Sequence, residues 1–280
     1  MSLLTDWQGR VLAWAADQPS IRAILLVGSL ARRDSPSDAF SDLDLVLYTV
    51  DPEQYADSAW LSTLGSVLIG VMERWDNGTP EHLVFFADGT KIDFAFPPFS
   101  ELQDEVARGY LRGVYRRGYQ VLLDKDGLAG QLQPCPYHPA PVEPPTQAEF
   151  LETVNGFWFW ALRTMQAIQR NERWVTYYRD GKLKNYLLRM LEWEARQRGQ
   201  DTWHGGRFIQ HWAGDDTLTA LEQAFAHFSA DDMRRALEAT LVLFERLSAQ
   251  VADGYHFSYP AQTVANVRQH LHTLTQQNRG

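Results

Sequence analysis

Asp42 and Asp44 stand two residues apart where an apolar run begins, in the order Ser41-Asp42-Leu43-Asp44-Leu45-Val46. On a strand, side chains two apart share one face. Two carboxylates held side by side repel, so the pairing makes most sense around a cation. Hard oxygen donors suit Mg²⁺, which binds through one or two carboxylates together with substrate phosphates. Upstream, the apolar run 23–27 ends in Gly28-Ser29, with Ser29 thirteen residues before Asp42. Glycine lets a phosphate approach the backbone, and Ser29 with a following helix start would supply a hydroxyl and free N–H donors. A third acid, Asp93, lies between Ile92 and Phe94 in DGTKIDFAF. A charge flanked by apolar residues is costly to bury without a partner. Beside the first pair it could share metal ions or accept a proton. Singly, a Gly-Ser turn or an Asp-x-Asp pair means little; the ordered combination points to a metal–triphosphate site.

The elements that must position these residues follow from the apolar pattern. Strands are expected at 23–27, 45–48, 82–86, 91–96 and 120–123, with a further strand at 67–74. Asp88-Gly89 forms a hairpin turn between two of them. Helices are expected at 3–17, at 55–64 ending near Gly65, and at 99–109. Mixed strands and helices imply an α/β or α+β domain. Residues 134–145, PCPYHPAPVEPP, carry six prolines in twelve positions and read as a semi-rigid linker. From 146 the pattern is helical, over 149–170, 183–198, 215–228, 231–251 and 261–274, giving an all-α second domain of about five helices.

Composition narrows the function. A chain of 280 residues with 45% hydrophobic content can bury one large or two medium cores. A net charge of −9 disfavours non-specific nucleic-acid binding. It can attract cationic small substrates, although simple solubility is the plainer explanation. The lone cysteine, Cys135, excludes an intrachain disulfide framework. No basic segment followed by an apolar run opens the chain, and no 18-residue apolar run occurs, so a cytoplasmic protein without membrane spans is expected. The eight histidines lack metal-ligand spacing.

Gly28-Ser29, Asp42-x-Asp44 and Asp93 resemble the nucleotidyltransferase signature of the DNA polymerase β superfamily. A closer resemblance runs through both halves. VGSLARR, DLDLVLY, DGTKIDFAF, LLDKDG, NGFWFWALRTM and LLRMLEWE are similar to the aminoglycoside 6-adenylyltransferases, which transfer AMP from ATP to an antibiotic hydroxyl. Leu30 departs from the arginine expected after Gly-Ser, with Arg32 and Arg33 following closely.

The resemblance implies an α+β fold: a polymerase β-like nucleotidyltransferase domain with a mixed sheet at 1–133, the linker 134–145, and a helical substrate-binding domain at 146–280, with the active site in a cleft between them. Asp42 and Asp44 would hold two Mg²⁺ ions bridging the ATP phosphates, and Asp93 would share a metal or act as general base. Gly28, Ser29 and Arg32 would bind the nucleotide.

Four lysines occur, Lys91, Lys125, Lys182 and Lys184. Lys182 and Lys184 flank Leu183 at an expected helix start. Either, or Arg189, could neutralise charge on leaving pyrophosphate; a solvated helix end is the plainer alternative. Trp158, within the aromatic run 157–160, could line a substrate pocket, although most of that run should be core. Glu149 and Glu152 could meet a cationic aminoglycoside or simply face water. A monomer and a homodimer are equally compatible. Two other functions stay open: transfer to a different acceptor (a lincosamide, a protein hydroxyl, a nucleic-acid end), and nucleotide binding without catalysis.

Overall fold

The computed structural model describes residues 3–32, 38, 40–109, 111, 113–133 and 143–276. Cys135, Arg33 and positions 134–142 of the expected linker lie outside them. The chain divides into two compact units, Met1–Val142 and Glu143–Gly280.

The first unit is built on a six-stranded mixed sheet. Its strands are β1 (Ile21–Val27), β2 (Leu43–Thr49), β3 (Val67–Arg74), β4 (Pro80–Phe86), β5 (Lys91–Ala95) and β6 (Gln120–Asp124). They lie in the order β3-β4-β5-β2-β1-β6. β2 and β5 pair in parallel, whereas β1 pairs antiparallel with β2 and β6, and β4 with β3 and β5. Helices α1 (Leu3–Ala16), α2 (Leu61–Leu64) and α3 (Phe99–Arg108) complete the unit.

β1 and β2 read as continuous apolar runs because both sheet faces are covered. On one face Ile24, Leu26, Leu45, Leu47 and Phe94 pack with Trp7, Val11 and Ala15 of α1. On the other, Leu25, Val27, Val46 and Tyr48 pack with Leu102 of α3. Strand β3 is an edge strand, exposed along its whole length.

The helix expected at 55–64 is instead a 3-10 turn, Pro52–Tyr55, and the single-turn α2. Asp57 Oδ1 accepts the Ala59 backbone N–H at 2.8 Å. Such a local side-chain bond offers the backbone an alternative to the helix.

The second unit is helical: α4 (Gln147–Gln169), α5 (Arg173–Gln197), α6 (Ile209–Trp212), α7 (Asp215–Gln223), α8 (Ala230–Gly254) and α9 (Ala261–Gln276). Apart from the one-turn α6, five helices stand among the described residues, as the periodicity predicts. α4 opens on a capping box in which Thr146 and Glu149 satisfy each other's backbone N–H groups. α5 begins at Arg173, well before the expected start at 183. Gly181 weakens helix propensity, but burial of Thr176, Leu183 and Leu187 on one face outweighs that local cost. α7 ends at Gln223, short of the expected 228. The core of the unit centres on Phe157 of α4 stacked on Phe244 of α8, ring centroids 3.5 Å apart. No helix among the described residues is long and apolar enough to cross a membrane. A mixed sheet unit and an all-helical unit make the chain α+β.

Candidate active site

Register places the acids together. Asp44 of β2 lies opposite Asp93 of β5 in the parallel pair and opposite Val27 in the antiparallel one. Strand alternation puts Asp44 on the face of Val46 and Tyr48, and Asp42 precedes it by two on the same side. One carboxylate oxygen from each of Asp42, Asp44 and Asp93 can be chosen so that all three lie within 4.8 Å of one another.

Gly28 follows Val27 at the same end of the sheet. Its φ is +70°, and a Cβ there would stand 1.8 Å from Asp44 Oδ2. Only glycine fits, since it tolerates left-handed backbone and leaves the space the carboxylate fills. The helix start expected after it is a three-residue 3-10 turn, Gly28–Leu30, whose Gly28 carbonyl accepts from both Ala31 and Arg32. Ser29 Oγ is buried and has no hydrogen-bond partner among the described residues. Arg32 follows directly. The backbone of the segment 113–118 packs on this loop: a Cβ on Gly118 would lie 2.6 Å from Arg32 Cα.

Lys91 was not singled out for this site by the sequence. Its Nζ donates to Asp42 Oδ2 at 2.5 Å and to Asp93 Oδ2 at 2.7 Å. The signal was Lys91-x-Asp93, two strand residues on one face, but a lysine's long stem does not reveal its partner. Burial alone would lower the Lys91 ammonium, and the two carboxylate bonds outweigh it and hold it above the ordinary lysine value. Asp93, the most buried of the three groups at 17% side-chain exposure, behaves differently. There burial dominates and raises the carboxyl, against the pull of Lys91. Asp93 Oδ1 is buried and has no hydrogen-bond partner among the described residues.

Two further groups surround the acids. Glu81 of β4 sits on the same face, since Leu83 lies opposite Asp93 and Glu81 opposite Ala95. Trp75 Nε1 donates to Glu81 Oε2 at 2.8 Å, but burial wins and raises its carboxyl, with Asp93 adding to the rise. Tyr115 is pushed up by burial and then by the charges of Glu81 and Asp44.

The remaining candidates belong to the second unit. Glu149 Oε2 accepts from Thr146 N at 2.7 Å and Oγ1 at 2.8 Å as part of the capping box. Glu152 is exposed on α4. Trp158 is 2% exposed in the helical core, with the Arg268 guanidinium 5.7 Å from its ring. Lys182 lies 5.6 Å over the Tyr178 ring. Lys184 is largely buried and donates to Asp180 Oδ1 at 2.8 Å and Thr240 Oγ1 at 3.0 Å. Burial lowers its ammonium, and Asp180 opposes that shift. Both lysines stand within α5 rather than at a helix start.

The donor set fits a divalent metal: three hard carboxylates, one buried oxygen without a hydrogen-bond partner among the described residues, and a glycine cradle that any Cβ would close. A strand-borne acid triad beside a Gly-Ser turn, on a mixed sheet, is the arrangement that nucleotidyl transfer would need.

Comparison with known proteins makes this more particular. Residues 5–274 match the streptomycin adenylyltransferase family model, and the chain belongs to that family. It is 26% identical over 261 residues to the aminoglycoside 6-adenylyltransferase of Bacillus subtilis, covering 89% of this chain and 90% of that protein. It is also 26% identical over 266 residues to the enzyme of the same name from Campylobacter jejuni, covering 89% and 88%. The crystal structure of an aminoglycoside 6-adenyltransferase from Bacillus subtilis aligns over 99% of this chain and 100% of that one, at 19% identity and a TM-score of 0.47.

Proposed function

We propose that this enzyme transfers AMP from ATP to a hydroxyl of a cationic aminoglycoside of the streptomycin type, in a Mg²⁺-dependent reaction that releases pyrophosphate. The observation that carries the reading is the approach of Asp42, Asp44 and Asp93 to within 4.8 Å beside Gly28 and Ser29. The names of the relatives point to the acceptor class, and the chain's net charge of −9 suits a polycation.

Asp42, Asp44 and Asp93 would hold the metal, which when bound supplies positive charge to the phosphates and the leaving pyrophosphate. Gly28 leaves backbone room for the β- and γ-phosphates, and the Ser29 hydroxyl, buried without a hydrogen-bond partner among the described residues, donates to one of their oxygens. Arg32 adds positive charge beside the same turn. The acceptor hydroxyl attacks the α-phosphorus in line, the bond from that phosphorus to the pyrophosphate oxygen breaks, and the hydroxyl proton passes to a carboxylate of the site. Positioning and charge neutralisation carry most of the rate. An adenylylated aminoglycoside is a changed antibiotic, so resistance is the expected consequence in a cell.

The test is product analysis. The enzyme with Mg-ATP and streptomycin should yield the antibiotic plus one adenylyl group by mass spectrometry. Adenylylation of a lincosamide or a protein hydroxyl, with aminoglycosides untouched, would keep the nucleotidyl transfer and overturn the acceptor. Nucleotide binding with no product from any acceptor would overturn the transfer itself.

A further inference from the structure

Strand β3 closes one edge of the sheet, paired to β4 on one side. Its apolar side chains face water: Leu68, Ile69, Val71 and Met72 are 66%, 62%, 52% and 42% exposed. Ile69 and Val71 lie opposite Phe85 and Leu83, on the face that carries Asp93, while Met72 lies opposite His82 on the other face. The strand is therefore apolar on both faces. An edge strand also presents a row of unpaired N–H and C=O groups, and soluble proteins blunt such edges with charge, proline, short length or a bulge. The opposite edge, β6, is blunted in this way: it has five residues, a register shift against β1, and Asp124 at its end. β3 carries no charge and no proline from 67 to 72, and its one register shift falls between Val67 and Ile69.

The occupant of this edge must be a strand, because a strand satisfies the backbone row, and it must be apolar on both faces. β3 itself meets both conditions. The stretch Leu68-Ile69-Gly70-Val71-Met72 reads nearly alike in both directions about Gly70. In an antiparallel pair of two copies with a twofold axis at Gly70, the two Gly70 residues face each other. Ile69 of each copy then opposes Val71 of the other, a pair of β-branched side chains that stabilises a sheet. Leu68 comes beside Met72, and Glu73 and Arg74 fall at the two ends, so no charge is buried. The side-chain faces also match, since residues opposite one another across a ladder point the same way.

We propose that two copies of this chain form a homodimer by pairing their β3 strands antiparallel about Gly70, which joins two six-stranded sheets into one of twelve strands. The interface is the same patch on both copies, and each edge is used up by the other, so assembly closes at two. β4 stands between β3 and the acid-bearing β5. The inference is independent of the reaction proposed above.

The experiment is sedimentation velocity of the full chain over a range of concentrations, with Ile69→Lys and Val71→Lys beside it, and oxidative cross-linking of Gly70→Cys in a Cys135→Ser background. The wild type should reach twice the 32.1 kDa of one chain and stop there. Each lysine replaces an exposed side chain and should give a monomer that is folded by circular dichroism. Gly70→Cys should form a disulfide between copies, since directly opposed residues of an antiparallel pair stand about 4.5–5.5 Å apart at Cα, within disulfide reach. The position accepts a side chain: an added Cβ would come no nearer than 3.6 Å to its neighbours. A wild type that stays monomeric at every concentration would overturn the inference. So would a mass that climbs past two, a dimer that survives both lysines, or a dimer in which Gly70→Cys does not cross-link. If the lysine variants fail to fold, the wild-type mass and the cross-link still decide.

Discussion

A Cβ placed on Gly28 would lie 1.8 Å from Oδ2 of Asp44. The Gly28-Ser29 turn and Asp44 are thus packed against each other, and a shift of one bears on the other. Gly28→Ala should therefore act on both. The left-handed backbone alone costs about 1–2 kcal/mol for a residue with a Cβ, and displacement of Asp44 by the order of 1 Å is expected to lower turnover about 10²-fold. Steady-state pyrophosphate release and thermal melting measure the two effects. Wild-type turnover in Gly28→Ala would mean that the Asp44 carboxylate is not needed where it stands.

The site was legible in the sequence to the extent that strand alternation and turn chemistry dictate position. Gly28, Ser29, Asp42, Asp44 and Asp93 could be grouped because each is fixed by backbone on a strand end or turn. Lys91 could not, because a four-carbon stem reaches partners that periodicity does not specify. Glu81 and Tyr115 reach the site through β4–β5 register and the packing of segment 113–118, which are tertiary facts. Helix limits failed for local reasons: the Asp57 side-chain bond interrupts 55–64, and burial carries α5 through Gly181.

His82 is buried among Trp60 and Phe96, and the Tyr55 carbonyl accepts from its Nε2 at 2.7 Å. Burial pushes its imidazolium below the ordinary 6.5, with the Tyr55 bond and the Asp57 charge opposing. The unfolded chain therefore takes up the proton more readily. The stability that neutral His82 contributes is present above about pH 6.5 and is lost as the pH falls through the depressed folded value. Urea unfolding between about pH 7.5 and 5.5 should show stability falling with pH, and His82→Gln should flatten that slope. An unchanged slope in the variant would assign the titration elsewhere.

In the helical unit, Phe157 is fully buried and stacked on Phe244 with an interplanar angle of 4°. Phe157→Ala removes the ring from a packed core, with an expected loss of about 3–5 kcal/mol. Urea unfolding of the variant checks this. A loss below about 1 kcal/mol would mean that the core collapses around the gap.

The most direct measurement is pyrophosphate release from Mg-ATP with streptomycin and a panel of other aminoglycosides, run in parallel on Asp42→Asn. Streptomycin-dependent release by the wild type is expected, with Asp42→Asn reduced about 10³-fold or more and melting as a folded protein. Equal release by both proteins would contradict the acid triad as the metal site. No release by the wild type with any aminoglycoside, while ATP still binds, would contradict the acceptor.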